Sequence, residues 1–325
     1  MKPGIKDVAK VAGVSPTTVS RVLNDRGYIS EETRQKVYAA MEEIQYHPNE
    51  IARALLNNLT YFVGVIVPTV TAPFHGEIVE QVEYFLAQRN YKMLLCNSKN
   101  QLDAEKKYID MLQRNQVDGM IVGTHNAVVD EYSKLKMPLV GIDRFLGEDV
   151  PIVASDNYEI GKIATRHLLE KGCQHILCIR GDSKLRMPGN QRSGAYIDVM
   201  KKIGKEPLVL EVPFVKEHVE KQKLIYDMLE NHPEIDGVFA GDDSLAIITI
   251  QIAKRKGLQI PEDLKVIGVD GTKQVMGFVP ELTTIQQPTR EIAHTAVNKL
   301  IDLIEGKKSV SCLNLPVRLL EGETT

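Results

Sequence analysis

The sequence predicts an all-α helix-turn-helix head followed by an α/β core made of two doubly wound parallel-sheet subdomains. Three observations predict it: helical periodicity around a central glycine near the N-terminus, a switch near Tyr61 to short apolar runs alternating with amphipathic helices, and more such runs than one sheet holds. At 325 residues the chain is long for one domain, and with 43% hydrophobic residues it can bury sizeable cores.

The head is read from IKDVAKVAGVSPTTVSRVL, residues 5–23. Ile5, Val8, Ala9 and Ala12 fall on one helical face, and Gly13 supplies the backbone freedom of a tight helix–helix turn. A second helix is expected to begin at Ser15, whose hydroxyl can accept from orphan first-turn amides, with Pro16 at the tolerated first position. Val14, Val19 and Val22 form its buried side, which leaves Pro16, Thr17, Thr18, Ser20 and Arg21 pointing elsewhere. Small or polar side chains on a short helix suit a DNA major groove, where Arg21 could bond bidentately to a guanine edge and Thr17 could touch a base. The same pattern also fits an ordinary helical hairpin with one surface arginine. Ser30 is expected to cap a third helix over about Glu31–Gln45, with Val37, Ala40, Met41 and Ile44 at core spacing. After Tyr46-His47-Pro48-Asn49, the Ala/Leu-rich run Glu50–Asn58 is expected to form a short helix that needs docking partners. A leucine beside small residues has the composition of a minor-groove wedge, and equally of a linker helix packed on its own domain.

A net charge of −3 excludes a chain that is basic throughout, so any nucleic-acid contact must be local. Residues 1–36 hold seven Lys or Arg against four Asp or Glu, a local charge of +3. So modest a footprint implies salt-sensitive binding by two heads, as in a dimer on a palindromic site. The start MKPGIKDVAK has no apolar leader, and no run approaches the ~18 apolar residues of a membrane span, so a soluble, cytoplasmic protein is expected. Cys96, Cys173, Cys178 and Cys312 lie in or beside apolar segments without CxxC spacing, which reads as reduced packing residues and no metal site. No apolar heptads for a tetramerising coil follow Leu320, so a homodimer is expected.

In the core the candidate strands are Phe62–Val67, Lys92–Cys96, Gly119–Val122, Leu139–Ile142, Ile176–Ile179, Val209–Val212, Gly237–Ala240 and Val266–Val269. Helices intervene, such as Glu77–Arg89 with Ile78, Val82, Phe85 and Leu86 on one face. This alternation means parallel sheets covered on both sides, with ligands expected at the carboxyl ends of the strands in a cleft between the halves. Asp143, Asp242, Asp243 and Asp270 each come just after a strand, and Arg186 and Arg192 follow Ile179. Carboxylates so placed accept bidentate bonds from vicinal hydroxyls, arginines supply complementary donors, and with an aromatic such as Phe74 the set suits a sugar. Each Asp equally suits a cap on the helix that follows.

Two other patterns carry no chemistry. Ser155-Asp156-Asn157 spells a β-lactamase triplet, but neither SxxK nor KTG accompanies it. The glycines form neither GxGxxG nor a P-loop, so no nucleotide cradle and no cofactor are expected. The histidines are dispersed, and His47, His75, His125 and His167 are assigned hinge, cleft-mouth and surface roles. No nucleophile–base pair emerges, which argues against an enzyme.

IKDVAKVAGVSPTTVSRVLN followed by EETRQKVYAAMEEIQYHPNEIARAL closely resembles the DNA-binding head and hinge helix of the LacI/GalR family of bacterial transcription regulators. The resemblance continues through YFVGVIVP, VDGMIVG, PLVGIDR, RHLLEKGCQHI, KVIGVDG and ELTTIQQP, covering essentially the whole chain. It implies a head over 1–46, a hinge helix and linker over 47–60, and a core over 61–325. That core would be of periplasmic-binding-protein-like type, its subdomains spanning about 61–155 with 287–312 and about 156–286 with 313–325. Crossing segments are expected near Ala154–Tyr158, Thr283–Gln287 and Leu313–Leu319. The resemblance gives Thr17 and Arg21 the places of base contacts and Pro16 another specificity position, with Ala52 and Arg53 along the minor groove and Leu55 as the intercalating leucine; Ser15, Thr18, Ser20, Asn24 and Leu56 complete the candidate DNA interface. It matches Arg192, Asp270, Asp242 and Phe74 to effector-contacting positions and makes Asp243 structural, while Asp143 and Arg186 complete the candidate effector set by their positions after strands. The partners implied are a double-stranded DNA operator, a sugar or sugar phosphate and a second copy of the chain, without a membrane. Within the family, GVIVPTVTAPF and LNLPVRLLEGETT look most like sucrose-operon repressors. A regulator using a purine or a phosphorylated carrier protein as corepressor, and a stand-alone sugar-binding protein, are the alternatives.

Overall fold

The computed structural model of the chain describes residues 3–23, 27–46, 59–124, 131–132, 134–185, 187–308 and 312–325. Asn24, His47, Ala52, Arg53, Leu55, Leu56, His125 and Arg186 lie outside the described residues. The chain forms two compact units, Met1–Thr60 and Tyr61–Thr325.

In the first unit, α1 (Ile5–Ala12), α2 (Pro16–Leu23) and α3 (Glu31–Glu43) enclose Val8, Ala9, Val19, Val22, Val37, Ala40 and Tyr46. Asp7 accepts from the Gly4 amide at 2.8 Å and ties down the start of α1. Gly13 ends that helix at φ 66, the left-handed region that a side chain would strain. Ser15 Oγ accepts from the Thr18 amide at 3.0 Å, and Ser30 Oγ accepts from the Thr33 amide at 3.3 Å, so both predicted caps are made. The third helix stops at Glu43, short of the expected Gln45, because Gln45 turns to φ 50.

The second unit contains two six-stranded sheets. The first has the order β11-β5-β4-β3-β1-β2 and the second β12-β10-β9-β8-β6-β7. In chain order these are β1 (Phe62–Val67), β2 (Lys92–Asn97), β3 (Gly119–Val122), β4 (Leu139–Ile142), β5 (Ile152–Ser155), β6 (Ile176–Arg180), β7 (Leu208–Glu211), β8 (Gly237–Ala240), β9 (Lys265–Asp270), β10 (Thr283–Gln286), β11 (Cys312–Leu315) and β12 (Arg318–Leu320). The helices are α4 (Pro73–Gln88), α5 (Leu102–Arg114), α6 (Asn157–Glu170), α7 (Gln191–Lys202), α8 (His218–Asn231), α9 (Asp243–Arg255), α10 (Lys273–Phe278) and α11 (Thr289–Ile304). Strands β1, β3, β4, β5 and β8 are buried almost throughout, as a sheet covered on both faces requires.

The chain crosses between the subdomains three times. It leaves the first sheet after β5, and α6 packs Ile160, Ala164 and Leu168 onto the second sheet with Cys178 and Phe239. It returns after β10, and α11 packs Ile292, Ala293, Ala296 and Leu300 onto the first sheet with Val63 and Val140. It crosses last between β11, whose Leu315 pairs with Ser155, and β12, whose Arg318 pairs with Gln286. That last crossing follows Leu315, inside the expected crossing segment Leu313–Leu319 and just beyond the expected subdomain bound at residue 312.

Four strands go beyond the predicted eight. β5, β10, β11 and β12 lie within or beside the crossing segments, where no long apolar run marks them: β10 reads TTIQ, and β11 is an exposed edge. The second sheet is also not wholly parallel, because β12 runs antiparallel to β10. Cys312 is exposed at that edge, whereas Cys96, Cys173 and Cys178 are buried as expected of packing residues. His167 is buried rather than superficial and bonds Thr325 Oγ1 at 2.8 Å.

Gly161 sets the spacing of α6 and α7. A Cβ there would stand 2.9 Å from the Ala195 Cβ and closer still to the Arg192 carbonyl. Gly161→Ala is expected to push α7 outward at a cost of about 1–3 kcal/mol, lowering the melting temperature by about 2–4 °C per kcal/mol. Calorimetry on the full chain checks this, and an unchanged melting temperature would refute the tight approach.

Candidate nucleic-acid interface and ligand cleft

On α2 the buried side consists of Val19 and Val22, at 0% and 1% exposure, so the remaining side chains are turned away from the head's core. Pro16, Thr17 and Arg21 are exposed, while Thr18 and Ser20 are half-buried. Ser15 and Thr18 are also engaged with each other, their hydroxyls 2.8 Å apart, so the cap and two of the candidate DNA contacts share atoms. The outcome is a short, rigid helix presenting a guanidinium and small polar groups on one side.

In the second unit, a cavity of about 300 Å³ opens where the strand ends of both sheets meet. Phe74, Asp143, Arg192, Asp242 and Asp270 all line it, and Asp243 does not. Phe74 also packs into the first subdomain's core, its ring 5.5 Å from that of His75. Burial pushes the His75 imidazole down to about 4, so it is neutral at pH 7.

Arg192 is the central donor. Its Nε donates to Asn157 Oδ1 at 2.6 Å and its NH1 to the Gly241 carbonyl at 2.8 Å. Asn157 in turn donates from Nδ2 to Asp143 Oδ1 at 2.9 Å and to the Ser155 carbonyl at 3.1 Å. A second chain runs from Ser155 Oγ to Gln287 Oε1 and from Gln287 Nε2 to Asp270 Oδ1, both at 2.7 Å. One carboxylate from each sheet is thereby joined to the segments that cross between subdomains. Asp143 and Asp270 also hold φ values of 48 and 125, which L-residues rarely adopt and which surrounding contacts must enforce. Arg144 is buried beside Asp143, and burial disfavours its charge against the opposing attraction of Glu105. Glu105 itself accepts from Thr124 at 2.9 Å and Tyr132 at 2.6 Å.

Burial raises the carboxyls of Asp143 and Asp242, against the opposing pull of Arg192. Asp242 has a second engagement: its Oδ1 accepts from the Leu245 amide at 2.8 Å and caps α9, so it borders the cavity and serves the following helix at once. Asp243 points away from the cavity, accepting from Thr284 Oγ1 at 2.6 Å and the Gly271 amide at 2.8 Å. Burial, reinforced by Asp242, lifts it to about 7. Burial and the neighbouring Asp243 lift Asp270 well above the carboxylate range.

Sequence reasoning missed Asn157, Arg180, His218, Lys221 and Gln287. Arg180 is the final residue of β6 and was open to the strand-end rule that selected the aspartates. Asn157 was read in the expected crossing segment Ala154–Tyr158 and in the discounted Ser155-Asp156-Asn157 triplet, but not as a cleft residue; Asp156 of that triplet caps α6 through the Glu159 amide at 2.9 Å. Gln287, His218 and Lys221 become neighbours of the cavity only through the tertiary fold.

A helix-turn-helix head joined to a two-subdomain core with a polar cleft defines a DNA-binding regulator with a ligand-binding core. Residues 4–49 match bacterial regulatory proteins of the lacI family, and residues 60–322 match periplasmic binding proteins and the sugar binding domain of the LacI family. The chain belongs to the LacI family of bacterial transcriptional regulators. It is 41% identical to a sucrose operon repressor of Streptococcus mutans, over 98% of each chain. It is 37% identical to a ribose operon repressor of Halalkalibacterium halodurans, over 99% of this chain and 96% of that one. Among solved structures, a periplasmic binding protein/LacI transcriptional regulator from Alkaliphilus metalliredigens complexed with D-xylulofuranose superposes with a TM-score of 0.76. It shares 28% identity and covers 82% of this chain and 99% of that one. These relatives are regulators and a ligand-binding protein, not enzymes.

A proton-linked prediction follows from Asp243. An unfolded Asp titrates near about 3.9 and the folded one at about 7, so the folded state binds the proton more tightly. The stability this contributes is complete below about pH 4 and is lost as pH rises through about 7. Asp243→Asn keeps one acceptor, and Thr284 can turn its hydroxyl to accept from the amide. The variant is expected to gain melting temperature relative to the parent at pH 8 and to lose that advantage at pH 5. A difference independent of pH in calorimetry would contradict the raised carboxyl.

Proposed function

We propose that the protein is a sugar-responsive repressor of a carbohydrate-utilisation operon that acts as a homodimer. The observation that carries the reading is the pair of hydrogen-bonded chains joining Asp143 and Asp270 in the cleft to the crossing residues Ser155, Asn157 and Gln287. A sugar whose hydroxyls bond these carboxylates competes for the same lone pairs, and so acts directly on the hinge between subdomains. Names of relatives support the ligand class: the curated ones repress sucrose and ribose operons, and the solved one holds D-xylulofuranose.

On the DNA side, α2 of each head enters a major groove with Arg21 on a guanine edge and Thr17 beside it, while Ser15, Pro16, Thr18, Ser20 and Asn24 fix its register. Ala52, Arg53, Leu55 and Leu56 take the central minor groove, with Leu55 wedged into a base step. Two heads are required because the local charge of one is only +3 over residues 1–36. The effector changes the angle between the core halves, and the operator is released. No described helix is long and apolar enough to cross a membrane.

Binding of the full chain to a labelled pseudo-palindromic operator at fixed salt, with and without sucrose, fructose and ribose, tests the reading. Release by a sugar is expected, and operator must weaken that sugar by the same factor as the sugar weakens operator. Equal sugar affinity in the presence and absence of operator defeats the coupling. Arg21→Ala is expected to cost about 1–3 kcal/mol on the operator and little on unrelated DNA. Equal losses on both would move Arg21 from the bases to the phosphates.

A further inference from the structure

Glu77 does not line the cavity, yet it joins the two core subdomains. It stands on α4, whose Phe74 and Ile78 belong to the first subdomain's core, and it reaches α10, whose Val275 belongs to the core of the second. Its Oε1 accepts from Thr289 Oγ1 at 2.6 Å and its Oε2 from the Lys273 amide at 2.9 Å. Lys273 is the first residue of α10, so its amide has no acceptor within the helix. Thr289 is the first residue of α11 and is buried. With one carboxylate oxygen fixed by Thr289, the other is aimed at the neighbouring subdomain. The helix that carries Glu77 is itself tied down: Arg290 of α11 donates to Gln81 Oε1 at 3.1 Å and lies over the Tyr84 and Phe85 rings at 5.2 and 5.1 Å.

Through these two bonds Glu77 closes a ring that includes a cleft carboxylate. Gln287 Nε2 donates to Asp270 Oδ1 at 2.7 Å, the Gln287 carbonyl accepts from the Thr289 amide at 2.9 Å, and Thr289 Oγ1 donates to Glu77. From Glu77 the ring returns through the Lys273 amide and along the chain to Asp270. That last stretch is a tight turn: Asp270 and Gly271 hold φ values of 125 and 58, Gln286 Nε2 donates to the Gly271 carbonyl at 3.0 Å, and Thr272 is buried. A short, packed turn passes a shift at one end to the other. A change at Asp270 therefore reaches both partners of Glu77, Lys273 along the turn and Thr289 through Gln287.

We propose that Glu77 is a positioning residue for the allosteric response, a latch between the subdomains that is made while Gln287 holds Asp270 and breaks when a ligand takes that carboxylate. This rests on the sugar-effector reading and deepens it. The latch and the bonds that hold Asp143 and Asp270 occur together in one arrangement of the subdomains. In that reading the effector displaces those bonds, so the latched arrangement is the one that holds operator.

The test is Glu77→Ala in the full chain, with affinities for the labelled operator and for sucrose, fructose and ribose measured at fixed salt and pH. Removing the latch shifts the balance between two arrangements, so the ratio of operator affinity to that of the releasing sugar is expected to fall about three- to tenfold, through weaker operator, tighter sugar or both. A merely structural loss would weaken both and leave the ratio unmoved. Glu77→Gln keeps an acceptor for the Lys273 amide, and Thr289 can turn its hydroxyl to accept from the new amide, so this variant is expected to stay within about twofold of the parent's ratio. Thr289→Val keeps the buried shape and removes the hydroxyl that fixes Glu77. It is expected to lower the ratio by less than Glu77→Ala does, and it keeps the test valid should Glu77→Ala fail to fold. A ratio that is unchanged or raised in these two variants, or as low in Glu77→Gln as in Glu77→Ala, overturns the latch and leaves the sugar reading standing. If none of the three sugars releases the parent chain from operator, the sugar reading fails and takes the latch with it.

Discussion

Everything in the core turns on carboxylates that are bonded to the hinge instead of to one another. Asp143 belongs to the first sheet and Asp270 to the second, yet each reaches a residue of a crossing segment: Asn157 for one and Gln287 for the other. The two crossing segments are themselves joined, Ser155 Oγ donating to Gln287 Oε1. In the proposed function, a ligand on Asp143 or Asp270 and a bend in the crossing segments are therefore not separate events joined by a long pathway. They share the same oxygen atoms, one hydrogen bond apart.

Such a site is held against its own inclinations. Four aspartates lie within or next to the cavity, and burial raises the carboxyl of each. Two of them also hold unfavourable backbone angles. Arg192, Asn157 and the α9 cap at Asp242 offset part of this. Buried carboxyls and unfavourable backbone angles are thus concentrated at the one place in the core where both sheets present their strand ends.

Much of this was legible in the sequence, for reasons that differ by element. The head was read closely because its signals are local: Gly13 at a left-handed turn, Ser15 and Ser30 as caps, and valines at helical spacing all act within a few residues. The strands buried on both faces announce themselves as apolar runs, and the aspartates at their ends were found by position. Strands β5, β10, β11 and β12 escaped because they are short and mixed in composition; Thr283 and Thr284 are buried only because the second sheet closes over them. Asn157 and Gln287 fell inside the expected crossing segments, but their part in the cleft escaped. Neither residue type advertises a site, and what gives them importance is two long-range bonds each, which no window of sequence contains. Arg180 was the avoidable omission, since its place at the end of β6 follows from the strand pattern alone.

The three crossings make each core subdomain discontinuous in sequence. The first sheet lacks its β11 edge and its α11 cover until residues 289–315 are present, and the second lacks β12 until Leu320. Even the last residues are woven in: Thr324 donates to the Val266 carbonyl at 2.7 Å and accepts from the Thr283 amide at 3.0 Å. The head, by contrast, is complete in its first few dozen residues. On the ribosome, then, the helical head can take shape well before either core sheet is complete, and a truncated chain loses its ligand-binding core before its head.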